Sequence, residues 1–324
     1  MALYFYIEIM FNFVMNVNIN SIMKFKPYSI MDRLGLDDNC QFEFFFSYLD
    51  HYYQHLSKLY DMSNIIDIKA FLLRGVSKIL DIEQSTYLLA SEKRDLNSIL
   101  VLTRTALDYF SVLNLFYNKT SNEEERLFRI ILYELDGLTT RIKMLQHKTS
   151  FNPKHISKQD YDKIIQQCNN AMKSDEKACE ALKSSLNSLP FIDTVNAKII
   201  RNNIWKYKHL ERQEYYSWKE LYNMCFNDNV SAFCQHYLSQ YVHGLAISDI
   251  QYFSEKSEFP NMHLSMGISI MGHLLEMIKN IFADDINELD EEFKTNIIPY
   301  FLTDIPQDVI AEISNEISHH SKID

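Results

Sequence analysis

The stretch that decides the fold is residues 96–117, LNSILVLTRTALDYFSVLNLFY. It contains neither Gly nor Pro, and its apolar residues lie almost all round a helix, which is typical of a helix at the centre of a bundle. Its charged residues are Arg104 and Asp108, one helical turn apart. Because an unpaired charge in such a helix would be costly to desolvate, we predict a salt bridge between them.

The rest of the chain favours helices as well. Its 324 residues include 6 Gly and 6 Pro against 21 Phe and 20 Tyr, too few turn residues for many short strands. A hydrophobic content of 47% is enough for a sizeable core. We predict one all-α helical bundle domain over residues 39–283, an N-terminal extension over 1–38 and an acidic C-terminal helical extension over 284–324.

Apolar residues that recur at intervals of three and four predict further amphipathic helices. These are expected at about 42–60, 66–90, 195–206, 217–224, 229–243 and 263–282. A capping sequence at 120–125 begins another helix that runs to about Gln146, and a polar helix follows at 157–186. Because the polar helix has only a narrow apolar stripe, we predict that the two form a protruding antiparallel hairpin over about 121–187.

The net charge of −11 is unevenly distributed. Residues 228–324 contain 4 basic and 16 acidic side chains, whereas residues 141–219 contain 15 basic and 8 acidic ones. A polyanion would be attracted to the middle of the chain and repelled by its C-terminal part.

The five cysteines are odd in number and form no CxxC pair, so the sequence suggests neither a disulfide framework nor a zinc knuckle. A reducing cytoplasm is the expected location. Residues 1–23 are apolar, but Glu8 and several Asn interrupt them and the first Lys is Lys24. We therefore expect no membrane insertion, and membrane association through residues 2–20 is kept as a third hypothesis.

A second polar stretch is residues 233–244, FCQHYLSQYVHG. At helical spacing Ser239 and His243 share one face, and the spare donors of Arg104 could reach both. In the functional interpretation His243 acts as acid or base and Arg104 binds an anion, with Asp108 and Ser239 completing the site. In the structural interpretation the same residues form a satisfied polar network that fixes the register of two core helices.

Taken together, these two stretches resemble family 5677 of domains of unknown function. The matching residues are Arg104, Thr105, Asp108, Leu238, Ser239, Tyr241, Val242, His243 and Gly244. The resemblance covers about residues 65–283, with Gln235 at the position of a leading aromatic residue and Asp108 where Glu is more usual. It implies an all-helical fold with a polar centre and no established reaction. In outline the chain is also similar to helical nucleotide-binding and RNA-cutting domains of prokaryotic toxins and phage-defence systems.

That looser resemblance implies an Arg followed after four to six residues by a His, the pair acting on a scissile phosphate without a metal. Arg141 and His147 match this spacing, although Ile142 stands where a polar residue is usual. The alternative is a solvated helix end whose cations complement the helix dipole.

A basic and aromatic segment offers a physical case for nucleic-acid binding. Its candidate residues are Lys198, Arg201, Lys206, Lys208, Arg212 and Trp205. In the alternative interpretation, the aromatic residues anchor an irregular segment on the bundle and the charges only solvate it.

Other chemistries have weaker support. His51 and His55 form an HxxxH pair without a Glu for HExxH or an apparent third ligand, so we predict no metal site. No glycine-rich loop or GxSxG motif is present, so we predict neither a nucleotide cofactor nor a serine hydrolase.

The leading hypothesis is an effector or accessory protein of a prokaryotic toxin or anti-phage defence system, directed at RNA and similar to metal-independent ribonucleases. Its expected partner is RNA or another polyanion. The alternative is a non-enzymatic protein that binds a partner or a second copy through the helical hairpin, with a purely structural polar core.

Overall fold

The computed structural model describes residues 38–90, 96–120, 122–146, 156–226, 231–232, 234–243, 262–286, 289 and 292. Within these ranges it contains nine α-helices and no β-strand, which confirms the predicted all-α bundle. The helices are α1 Asp38–Leu56, α2 Ile68–Leu88, α3 Leu96–Asn118, α4 Glu123–Gln146, α5 Lys158–Asn187, α6 Ala197–Arg201, α7 Trp218–Cys225, α8 Ser239–Val242 and α9 Met262–Ile281. Nearly all of the predicted N-terminal extension and most of the C-terminal extension lie outside the described residues.

The long helices lie within a few residues of their predicted positions. The helix predicted at 195–206 is shorter than expected, because α6 comprises only Ala197–Arg201. Asn196 caps its start by accepting a hydrogen bond from the backbone N–H of Lys198. Asn203 then adopts φ 50, a left-handed conformation that ends the helix.

The chain divides into two compact units, which we describe separately. Unit 1 comprises residues 1–61, 73–114 and 218–324, and in it α1 packs along α9. Two glycines allow close approaches there. A Cβ on Gly75 would lie 2.8 Å from the Leu113 side chain, and a Cβ on Gly267 would lie 2.5 Å from the Glu83 carboxylate. A larger residue at Gly267 would therefore collide with a buried acid.

Unit 2 comprises residues 62–72 and 115–217, and its helices α4 and α5 pack along each other as an antiparallel hairpin. The buried residues of α5 follow the narrow stripe that the sequence predicts, ending with Cys179, Leu182 and Leu186. The first half of α4 differs, because two arginines are buried there along with apolar residues on several faces. The outer half of the hairpin is therefore solvated, while the first half of α4 belongs to the core of unit 2.

Helix α3 is the one described helix that is long and apolar enough to cross a membrane. Two thirds of its apolar window is buried inside the protein, which is the environment of a core helix. Residues 2–20, to which the membrane hypothesis refers, lie outside the described part of the chain.

Candidate functional site

The predicted salt bridge in α3 is confirmed. The Arg104 Nε donates a hydrogen bond of 3.0 Å to Asp108 Oδ1, and the side chains are 12% and 34% exposed. The Arg104 Nη1 donates to the Ser239 hydroxyl at 3.0 Å and to the backbone carbonyl of Cys234 at 2.8 Å. The guanidinium therefore joins α3 to the segment that carries the second polar stretch. We call Arg104, Asp108, Tyr222, Cys234 and Ser239 the Arg104 cluster.

Tyr222 of α7 completes this cluster. Its hydroxyl donates to Asp108, and its ring centroid lies 4.9 Å from the Arg104 guanidinium. Burial, followed by the nearby Asp108 carboxylate, raises the pKa of Tyr222. Burial likewise raises the pKa of the Cys234 thiol to about 12, so this thiol is protonated and a poor nucleophile at neutral pH.

The segment bound by Arg104 is not a regular α-helix, although the sequence predicts one over 229–243. Cys234–Leu238 is a π-helix, and the four residues of α8 follow it. The Ser239 hydroxyl donates to the Gln235 carbonyl one turn back. Side-chain bonds of this kind, together with the Arg104 contact to the Cys234 carbonyl, satisfy backbone groups where the helix changes its hydrogen-bonding register.

His243 is the C-cap of α8, and its side chain is exposed. Its backbone N–H bonds to the Ser239 carbonyl at 3.2 Å, but no hydrogen bond between described residues joins its ring to Arg104. The structure thus brings together Arg104, Asp108 and Ser239 and leaves the fourth predicted residue at the surface.

The predicted Arg141 and His147 pair is described only in part, since His147 lies outside the described residues. Arg141 makes two hydrogen bonds to the carboxylate of Asp175 across the hairpin, the one from Nε at 2.6 Å. The Asp175 side chain is buried, whereas that of Arg141 is largely exposed. The side-chain hydrogen bond that Arg141 donates to Asp175 raises the pKa of Arg141, so the guanidinium is firmly cationic and ties α4 to α5.

The basic and aromatic segment, residues 196–216 of unit 2, consists of α6 and a hairpin-like turn, and we call it the basic loop. Tyr207 and Tyr215 face each other in an isolated antiparallel bridge. Trp205 is 6% exposed, so it anchors the loop as the structural interpretation expects. The basic side chains instead lie wholly or partly at the surface. These are Lys198, Arg201, Lys206, Lys208 and Arg212.

A second arginine, which the sequence did not single out, holds this loop. Arg129 of α4 is buried, and its Nη1 donates to the backbone carbonyls of Trp205 and Tyr207, each at 3.0 Å. Its guanidinium lies 3.8 Å from the Tyr207 ring centroid and bonds to Glu125 at 3.1 Å, and Glu125 accepts the Tyr207 hydroxyl at 3.2 Å. We call Arg129, Glu125 and Tyr207 the Arg129 cluster.

No group of three or more His, Cys, Asp or Glu side chains suited to a metal ion occurs among the residues described. His51 and His55, the HxxxH pair, lie in α1. The five cysteines lie in the described ranges, and none of them forms a disulfide.

Comparison with known proteins found no matching family model, no matching curated protein and no matching solved structure. The resemblance to family 5677 of domains of unknown function therefore stays a prediction.

Proposed function

We propose that this protein is an RNA-directed accessory component of a prokaryotic toxin or anti-phage defence system, acting in the cytoplasm, and that unit 2 binds the RNA through the basic loop. The observation that carries this proposal is a set of five cations on one short loop whose backbone is fixed by a buried arginine. A fixed loop loses little conformational entropy when its cations bind phosphates. It therefore binds a polyanion more tightly than a mobile loop with the same charges would.

The charges of the two units support the same assignment. Unit 2 contains 18 basic and 14 acidic residues, whereas unit 1 contains 14 basic and 29 acidic ones. A polyanion is therefore attracted to unit 2 and repelled by unit 1. This difference favours the basic loop over the Arg104 cluster as the place where RNA is bound.

The proposal is tested by removing the three most exposed cations of the loop in the variant K198Q/R201Q/R212Q. We expect its affinity for a labelled RNA oligonucleotide to fall about tenfold or more. Each lost phosphate contact also lowers the slope of log K against log salt by about 0.7 for a single strand, so the slope should decrease by about 2. Fluorescence anisotropy at several salt concentrations measures both quantities.

The matched control is K173Q/K177Q/K183Q, which removes three exposed positive charges from α5 of the same unit. Equal effects of the two triple variants would mean that only net charge matters, and would overturn the assignment to the basic loop. Absence of RNA binding by the wild type would overturn the function itself.

One observation favours the non-enzymatic alternative, in which the polar core is structural and the hairpin binds a protein partner or a second copy. The bonds of Arg104 run to acceptors of its own chain, namely Asp108, Cys234 and Ser239. An arginine engaged in this way has fewer donors left for a substrate phosphate. Sedimentation of the protein alone, with and without charge reversals on α5, tests the association through the hairpin.

A further inference from the structure

We infer that the basic loop prefers single-stranded RNA to duplex RNA and that Tyr215 is its base-stacking platform, an inference that rests on the function proposed above. Tyr215 is 58% exposed. Among the described residues it is the only Phe, Tyr or Trp whose side chain is largely exposed, although this chain is rich in aromatic residues. A solvent-facing ring amid surface cations is the arrangement that binds unpaired bases.

The backbone around Tyr215 is held in a fixed register. The N–H of Lys208 donates to the Glu214 carbonyl at 2.8 Å, and the N–H of Tyr216 donates to the Lys206 carbonyl at 2.7 Å. Tyr207 stands opposite Tyr215, and its own ring lies beneath the Arg129 guanidinium. The platform is thus connected to the core of unit 2 through one cross-strand pair, which keeps its position defined.

Two lysines, Lys206 and Lys208, adjoin Tyr207 on the side of the bridge opposite Tyr215. Lys208 Nζ lies 5.3 Å from the centroid of the Tyr216 ring, and Lys206 Nζ lies 5.4 Å from that of Trp205. Arg212 is exposed on the segment that connects the two sides of the bridge. A strand that binds this loop can therefore pair its phosphates with these cations while one of its bases stacks on Tyr215.

The exposed Tyr215 ring and the cations of the loop together favour single-stranded over duplex RNA. In an A-form duplex the base faces are stacked on one another, so a protein contacts the phosphates, the 2′-hydroxyls and the groove edges. A duplex can therefore use the lysines and the arginine but not the Tyr215 ring. A single strand can use both, and each stacked base tightens binding about fivefold or more.

The experiment measures the anisotropy of a labelled, unstructured 12-nucleotide RNA and of the same strand in a blunt duplex. The variants are Y215A, Y215F and the control Y161A, which removes a tyrosine of α5 whose ring lies 5.2 Å from Lys158 Nζ, a lysine and tyrosine pair outside the loop. We expect the wild type to bind the single strand at least about fivefold more tightly than the duplex. Y215A should lose that preference with duplex binding unchanged, whereas Y215F and Y161A should retain it.

The outcomes separate this inference from the proposed function. If both RNA forms bind equally and Y215A weakens neither, the inference is wrong while the RNA function stands. If neither form binds, the proposed function fails and the inference fails with it. Binding to phosphatidylserine vesicles without binding to either RNA would overturn both, because the loop would then be a membrane-surface site.

Discussion

The Arg104 cluster of unit 1 and the Arg129 cluster of unit 2 are built from the same parts. In each, a helical arginine pairs with an acid four residues away, and a tyrosine places its ring near the guanidinium while its hydroxyl donates to that acid. Arg104 also donates to one backbone carbonyl and Arg129 to two, in each case in a segment that is not regular α-helix. The shared construction shows that such a cluster fixes irregular backbone in this protein, so the arrangement alone is not evidence of catalysis.

The two clusters differ in burial and in what they hold. Arg129 and Glu125 are 5% and 21% exposed, and they fix the loop that carries the surface cations. Arg104 and Asp108 are 12% and 34% exposed, and the guanidinium also bonds to the Ser239 hydroxyl. The more open cluster lies in the acidic unit and the more closed one in the basic unit. Substitutions in the two clusters should therefore have different costs.

The largest effect is expected for Arg129→Met. It leaves two backbone carbonyls and the Glu125 carboxylate without their buried cation, which should lower the free energy of unfolding by about 3–5 kcal/mol. Arg104→Met, at a more solvated site, should cost about 1–3 kcal/mol. Urea unfolding measures both, and a Trp218→Phe background leaves the buried Trp205 as the fluorescent reporter of unit 2.

Arg201→Met, on the exposed end of α6, serves as the control and should change stability by less than about 0.5 kcal/mol. Equal losses for the Arg129 and Arg104 variants would show that the difference in burial has no energetic consequence, and the comparison of the clusters would lose its basis.

One of the two arginine and acid pairs was predictable from the sequence and the other was not. Arg104 and Asp108 were predicted to pair because they are the charged residues of an otherwise uncharged, apolar helix. Arg129 was missed because α4 begins with three consecutive glutamates, a pattern typical of a solvated first turn. An i,i+4 acid and arginine pair occurs on many exposed helices, and only tertiary packing decides that this one faces the core.

The fold was predictable to within a few residues because the helices are long and strongly periodic. The π-helix at Cys234–Leu238 was not, since the contact that Arg104 makes to its first carbonyl is tertiary and cannot be inferred from local propensity. His243 was expected to share a face with Ser239, but the helix ends at Val242 and the His243 side chain is exposed.

Glu83, a buried acid of unit 1, contrasts with the acids of the two clusters, because burial is the cause of its pKa shift. Glu83 is 2% exposed beside Gly267, and burial raises its pKa from 4.5 to about 8. A raised pKa in the folded state means that this acid stabilises the fold fully below pH 4.5 and that its contribution is lost as the pH rises to about 8. Asp108 and Glu125, by contrast, each have an arginine partner.

We expect the wild type to lose about 2 kcal/mol of stability between pH 6.5 and 8 through Glu83 and the variant Glu83→Gln to lose much less. Burial lowers the pKa of His263 from 6.5 to about 4 and also lowers that of His273, so both histidines lose their contribution to stability as the pH falls. Both are present in the wild type and in Glu83→Gln, so the difference between the two profiles isolates Glu83. Urea titrations at intervals of half a pH unit provide the profile.

Glu180→Gln, which alters an exposed acid of α5, should leave the profile unchanged. A wild-type profile that is flat from pH 6.5 to 8, or a Glu83→Gln profile with the same slope as the wild type, would refute the prediction.

The smallest effects are expected at Ser239, in the Arg104 cluster, and at His243, which lies outside it. Ser239→Ala removes the hydroxyl that accepts from Arg104 and should cost about 1 kcal/mol, whereas His243→Ala alters an exposed side chain and should change stability by less than about 0.5 kcal/mol. Because His243→Ala leaves the fold intact, its effect on ribonuclease activity or on cellular toxicity is informative. Activity lost without a loss of stability would support a role of His243 in the reaction, and activity retained would exclude His243 from it and leave Arg104, Asp108 and Ser239 as the remaining predicted residues.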